Sequence, residues 1–200
     1  MYKNINIILV AAFIFSACGG SRSGSVNLTP GANTKTVAME PEWWKDYEEK
    51  EGYVMGTSEG LSRDKGGARM KAQNLILNDF RQKTKAIATG RSENFFKETG
   101  ENLDSDIYQS FESIQNSVWE GAIEAWVEFN KVTVVEESTD GDGRRSNLYR
   151  HYILGGLDQA AADRKLLQAI KREKALFIEM EKTKTYKSLR EDLERYKGKL

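Results

Sequence analysis

The most regular hydrophobic pattern begins near residue 65. Ala68, Ala72, Ile76, Phe80 and Ile87, with Leu75 alongside, fall on one face at helical spacing and predict a helix over about Lys65–Ala88. Ser62 or Asp64 is placed to cap it. Leu103, Ile107, Phe111, Ile114 and Val118 then step by three or four and predict a second helix over Asn102–Ser117. Between them lies a gap around Gly90 to Gly100, whose order the sequence leaves open. From Ala122 to Glu137 the period changes to two: Ala125, Val127, Phe129, Thr133 and Val135 alternate with Glu124, Glu128 and Asn130, and only Lys131 breaks the apolar side. That is a long strand. Asp140-Gly141-Asp142-Gly143 is a hairpin signal, and Leu148–Leu157 supplies the returning strand. Asp158 can cap a further helix containing Leu166, Leu167, Ile170, Phe177 and Met180. The chain closes on Tyr186, Leu189, Leu193, Tyr196 and Leu200, a two-heptad stripe too short for a coiled coil. Ahead of the first helix, Gly52–Thr57 reads as a short strand. The order predicts an α+β fold: a small antiparallel sheet of about three strands packed by amphipathic helices, with a C-terminal helical tail.

Composition adds a hydrophobic fraction of 39% and an aromatic fraction of 10%, enough for a real core in one domain. Lys+Arg and Asp+Glu both number 30 and are interleaved along the chain, so there is no basic field to draw in nucleic acid. Cys18 is the only cysteine, which excludes a disulfide within the chain.

The region before residue 40 is different in kind. Lys3 supplies a short positive start, and Ile5–Phe15 is mostly apolar but too short to cross a bilayer. It has the length of a signal-peptide core, and the small residues Ser16 and Ala17 precede Cys18. Phe15-Ser16-Ala17-Cys18 resembles the bacterial lipobox, with Phe15 where Leu is usual. The resemblance implies cleavage before Cys18, three acyl chains on the new N-terminus, and a stable membrane anchor. Gly19 follows instead of an inner-membrane retention Asp, which points to the outer membrane, on its periplasmic side. Residues 19–39 are rich in Gly, Ser, Thr and Asn and read as a flexible linker. The expected organisation is thus a signal peptide at 1–17, a lipidated linker at 18–39, an α+β domain at 40–182 and a helical tail at 183–200.

Several features of the domain carry a family resemblance. They are Pro41 and Trp43, the strand residues Gly52, Tyr53 and Gly56, the helix residues Ala68 and Ala72, and the strand Tyr149–Leu157. Together they resemble the Lpp-twenty family of bacterial outer-membrane lipoproteins, over most of residues 40–182. Arg150-His151-Tyr152 interrupts the Val- and Leu-rich strand usual there. The resemblance implies an envelope address, with some members linked to flagellar or surface assemblies, and neither a catalytic activity nor a cofactor.

Candidate chemistry is sparse. Gly56-Thr57-Ser58-Glu59-Gly60 matches the G-x-S-x-G nucleophile elbow, and Asp140 or Asp142 followed by His151 would complete a hydrolase order. A true elbow starts its helix at the serine, and the helix signal begins several residues later. Asp140–Gly143 lacks the other ligands of a calcium loop, and His151 has no second histidine or spare cysteine with which to hold a transition metal. No cofactor and no metal site is expected. Trp119 and Trp126 are read as core. Trp43 and Trp44 are adjacent, so on an extended chain they point to opposite sides, leaving one for glycan or a partner. The leading expectation is a lipid-anchored envelope protein acting as a non-catalytic interaction or structural module. Its contacts would be the membrane through Cys18, and protein partners or a second copy through the terminal stripe. A lipid-anchored serine hydrolase using Ser58 and His151, and a glycan-binding module using Trp43 or Trp44, are the alternatives.

Overall fold

The computed structural model describes residues 33–35, 40–100, 104–139 and 142–197. The signal peptide, Cys18 and most of the linker lie outside the described residues, as do Asp140 and Gly141 of the hairpin signal. The strands are β1 (Asn33–Lys35), β2 (Tyr53–Ser62), β3 (Val127–Thr139) and β4 (Arg145–Asp158). The helices are α1 (Lys65–Thr99), α2 (Ser105–Glu124), α3 (Gln159–Arg172), α4 (Lys174–Met180) and α5 (Lys184–Lys197). The fold is α+β, as the sequence pattern implies. Three long antiparallel strands run in the order β3-β4-β2, and the short β1 adds to the outer edge of β3. β1 pairs Lys35 with Glu137 and Asn33 with Thr139, so part of the stretch read as linker belongs to the sheet.

The hairpin is formed as expected, with Thr139 opposite Arg145 and Gly143 at φ +78 in the turn. Both acidic caps are in place. Asp64 accepts from the amides of Gly66 and Gly67, and Asp158 accepts from Ala161 N at 2.7 Å. β3 begins at Val127, because Ala122 and Ile123 extend α2: Ile123 continues the buried line Phe111, Gln115, Trp119 by one more turn.

α1 departs most from its expected extent. It does not stop at Ala88 but runs on through Gly90 to Thr99, closing the gap expected between the first two helices. Its buried positions are Ala68, Ala72, Ile76, Phe80, Thr84, Ala88, Ser92 and Phe95. Steps of four on a helix of 3.6 residues per turn rotate the line by about 40° each, or about 200° between Ala68 and Ala88. The first half therefore packs on the sheet, where Ala72, Ile76 and Phe80 meet Ile153 and Leu157. The far end faces the helical layer, where Phe95 meets Phe111 at 5.1 Å between ring centroids.

α1 lies along β2 in the opposite direction. Lys71 Nζ donates to Leu61 O at 2.9 Å and Lys83 Nζ to Met55 O at 2.8 Å. Twelve helical residues rise ~18 Å and six strand residues ~20 Å, so the two elements keep pace. Both lysines occupy carbonyls of a strand at the sheet's edge, a position at which lysine discourages pairing with another chain.

α3, α4 and α5 form a second core with Phe95 and Phe111, built from Leu166, Ile170, Leu176, Met180, Tyr186, Leu189 and Leu193. The terminal stripe is thus buried within its own chain. Leu189 is 3% exposed, and Tyr196 packs over Gly52, its ring 3.5 Å from where a Cβ would stand. This corrects the reading of 183–200 as a separate tail with a face free for a second copy. An apolar helical stripe must be covered, and α1 and α3 cover it here. Thr183 starts α5 by accepting from Tyr186 N at 3.1 Å, and Glu98 of α1 accepts from Thr185 N at 3.1 Å.

Candidate functional site

Gly56-Thr57-Ser58-Glu59-Gly60 is not a turn. It lies inside β2, paired residue by residue with Gly155 to His151 of β4. Gly56, Ser58 and Gly60 alternate onto the face covered by α1, where only small side chains fit. A Cβ on Gly60 would stand 2.1 Å from Ala68 O, and one on Gly56 2.9 Å from the Phe80 ring. The Ser58 hydroxyl donates to Ala72 O at 2.7 Å. His151 is buried on the same face, with Nδ1 2.7 Å from Thr133 Oγ1 and Nε2 without a partner. Burial, and then the charge of Arg69, hold the imidazole below its ordinary value. Ser58 and His151 are therefore close in register but are not joined as nucleophile and base. The hydroxyl serves to fasten a helix to a strand.

The opposite face of the sheet carries Met55, Tyr152 and Leu154, all buried. The chain from Glu40 to Gly52 crosses it. Glu42–Trp44 forms one turn of 3₁₀ helix, so Trp43 and Trp44 do not diverge as on an extended chain; their rings meet edge to face at 6.4 Å. Trp44 stands on Tyr152 at 4.8 Å and 66°, and Tyr53 on Phe129 at 5.3 Å and 77°. Lys50 Nζ sits 3.9 Å above the Phe129 ring. Beside this aromatic group, Arg150 bridges Glu136 at 2.8 Å and Glu59 at 2.9 Å, tying β3, β4 and β2 together. Those two acceptors, Glu136 foremost, raise the guanidinium's affinity for its proton, and burial raises the Tyr152 phenol. Trp43 and Trp44 both remain half-buried. The arrangement offers ring faces with a charged rim, suited to stacking against an apolar side chain or a sugar.

Trp119 is buried in α2, and Trp126 packs 6.1 Å from Phe80 against Gly155, so both serve the core as expected. Sequence reasoning did not anticipate Arg91 and Asp163, seventy-two positions apart. Asp163 is fully buried and receives Arg91 Nη1 at 2.8 Å and Nη2 at 3.1 Å, while the same guanidinium lies 5.9 Å from the Trp119 ring centroid. Burial pushes the Asp163 carboxyl up and Arg91 pulls it part of the way back.

Among the described residues, no group of three or more His, Cys, Asp or Glu is gathered to hold a metal ion. No described helix is long and apolar enough to cross a membrane. Set against protein-family models, curated proteins and solved structures, the chain finds no match.

Proposed function

We propose that this chain is a lipid-anchored lipoprotein of the bacterial cell envelope, held at the outer membrane by acyl chains on Cys18 and facing the periplasm. Its folded domain would act there as a non-catalytic interaction module. One observation carries the reading: the chain's single cysteine stands directly behind an apolar leader segment and the small pair Ser16-Ala17. A lone thiol is a liability in an oxidising compartment unless something occupies its sulfur. Three acyl chains exceed the two signals that stable anchoring needs. The likeness to Lpp-twenty lipoproteins supports the same address. Ser58 is taken up in holding α1 to the sheet and His151 Nδ1 in a bond to Thr133 of β3, which favours a binding role over a hydrolytic one. Because α5 covers its stripe against its own chain, the contact surface we favour is the half-exposed turn bearing Trp43 and Trp44.

Membrane fractionation of the full chain beside Cys18→Ala, in a Gram-negative host, tests the anchor. The wild type should follow the outer membrane and the variant should become soluble. Equal distribution of the two would overturn the reading. The half-buried tryptophan pair also supports a second reading, a glycan contact. In that case cell-wall fragments quench tryptophan fluorescence, and Trp43→Ala abolishes the effect; no quenching would exclude it.

A further inference from the structure

A groove of about 480 Å³ runs between α1 and α2, on the helical side of the domain and away from the aromatic face. That volume lies within the range of ordinary small-molecule sites. α1 contributes Arg81, Thr84, Lys85 and Ala88, spaced to share one helical face. α2 contributes Asn116, Trp119, Glu120, Ile123 and Glu124, again on one face. The floor is apolar and closed: Ala88 is 8% exposed, Trp119 3% and Ile123 8%.

The charges on the walls are sorted by sign. Arg81 and Lys85 are neighbours at i and i+4 on α1, and Glu120 and Glu124 are neighbours at i and i+4 on α2. Like charges at that spacing repel and weaken a helix. The simplest relief would be direct pairing across the groove, yet within the described residues none of the four makes an ion pair. Arg81 instead donates to Asn78 on its own helix at 3.0 Å. The walls thus present two cations on α1 and two carboxylates on α2, above an apolar floor.

We infer that this groove binds a small zwitterion of the amino-acid or short-peptide class. The ligand's carboxylate would lie toward Arg81 and Lys85, its ammonium toward Glu120 and Glu124, and its backbone over Trp119 and Ile123. A purely anionic ligand would meet Glu120 and Glu124, and a purely cationic one would meet Arg81 and Lys85, so the sorted walls select for a molecule carrying both charges. The inference stands independently of membrane anchoring.

The test uses the ¹⁵N-labelled full-length chain and trialanine with free ends. Four tryptophans give four indole resonances, with that of Trp119 assigned by Trp119→Phe. Trialanine should move the Trp119 signal and leave those of Trp43 and Trp44 in place. Acetylating the amine or amidating the carboxylate of the peptide should each weaken binding by about tenfold or more. Calorimetry on the surface variants Arg81→Gln with Lys85→Gln, and Glu120→Gln with Glu124→Gln, should show the same loss in chains that still melt cooperatively. Absence of binding in the millimolar range, or binding indifferent to these charges, would overturn the assignment.

Discussion

The Ser58 hydroxyl donates to the main-chain carbonyl of Ala72 at 2.7 Å, the point at which α1 is fastened to the sheet. One residue pair further along, Gly60 leaves no room for a side chain: a Cβ there would stand 2.1 Å from Ala68 O and 2.5 Å from Ala72 N. Both contacts are backbone and cannot swing away. Gly60→Ala should therefore cost at least the upper end of the overpacking range, about 3 kcal/mol. Gly90, inside α1 with open space around it, is the control. Gly90→Ala should stabilise by about 0.5–1 kcal/mol through helix propensity. Thermal melts of the two variants should move in opposite directions.

The Arg91–Asp163 pair joins α1 to α3 in the interior. Arg91→Met would strand a fully buried carboxylate, at a cost of about 3–5 kcal/mol. Adding Asp163→Leu to that variant should recover most of the loss, because an apolar pair replaces a desolvated ionic one. The Asp163 carboxyl is pushed up by burial, so the folded chain keeps that proton to higher pH than the unfolded chain does. Its contribution to stability is then complete below the unfolded value and is lost as pH rises through the folded one. Asp163→Asn should remove this slope from the pH profile of urea unfolding.

His151 gives the opposite dependence. It is the only histidine, and burial followed by the charge of Arg69 lowers it from 6.5. Below that value the unfolded chain takes up a proton that the folded chain refuses. Stability should fall as pH drops from 6.5 toward the depressed folded value and change no further, from this group, beneath it. Urea midpoints measured from neutral to mildly acid pH should show that fall in the wild type. Loss of that fall in His151→Gln would assign it.

The terminal helix belongs to the core, and its removal should behave accordingly. Leu189, 3% exposed among Phe95, Leu166 and Ile170, should cost about 2–5 kcal/mol on truncation to Ala. Deleting α5 altogether would uncover Leu166, Leu167 and Ile170. The shortened chain should bind a hydrophobic dye and lose cooperative melting, where a dispensable tail would leave both unchanged.

What could be read from the sequence was whatever local chemistry decides. The Asp64 and Asp158 caps, the period of two in β3 and the hairpin turn each depend on neighbours a few residues away. Three features depended on distant partners. Gly56, Ser58 and Gly60 look like a turn motif, but their spacing of two is also that of one strand face cleared for a helix, and only the arrival of α1 decides between them. The buried line of α1 contains Thr84 and Ser92 and drifts around the helix as its partner changes from sheet to helices, which hid its second half. The stripe from Tyr186 to Leu193 shows that a helix must be covered, but periodicity cannot say whether the cover comes from the same chain or another. The Arg91–Asp163 pair left no local signal at all.

The most direct measurement is the mass of the mature N-terminal peptide, isolated from the membranes of a Gram-negative host. We expect a peptide that begins at Cys18 and carries acyl mass on both its sulfur and its amine. A peptide that retains residues before Cys18, or one that begins elsewhere with an unmodified thiol, would contradict lipid anchorage and with it the envelope role proposed for the domain.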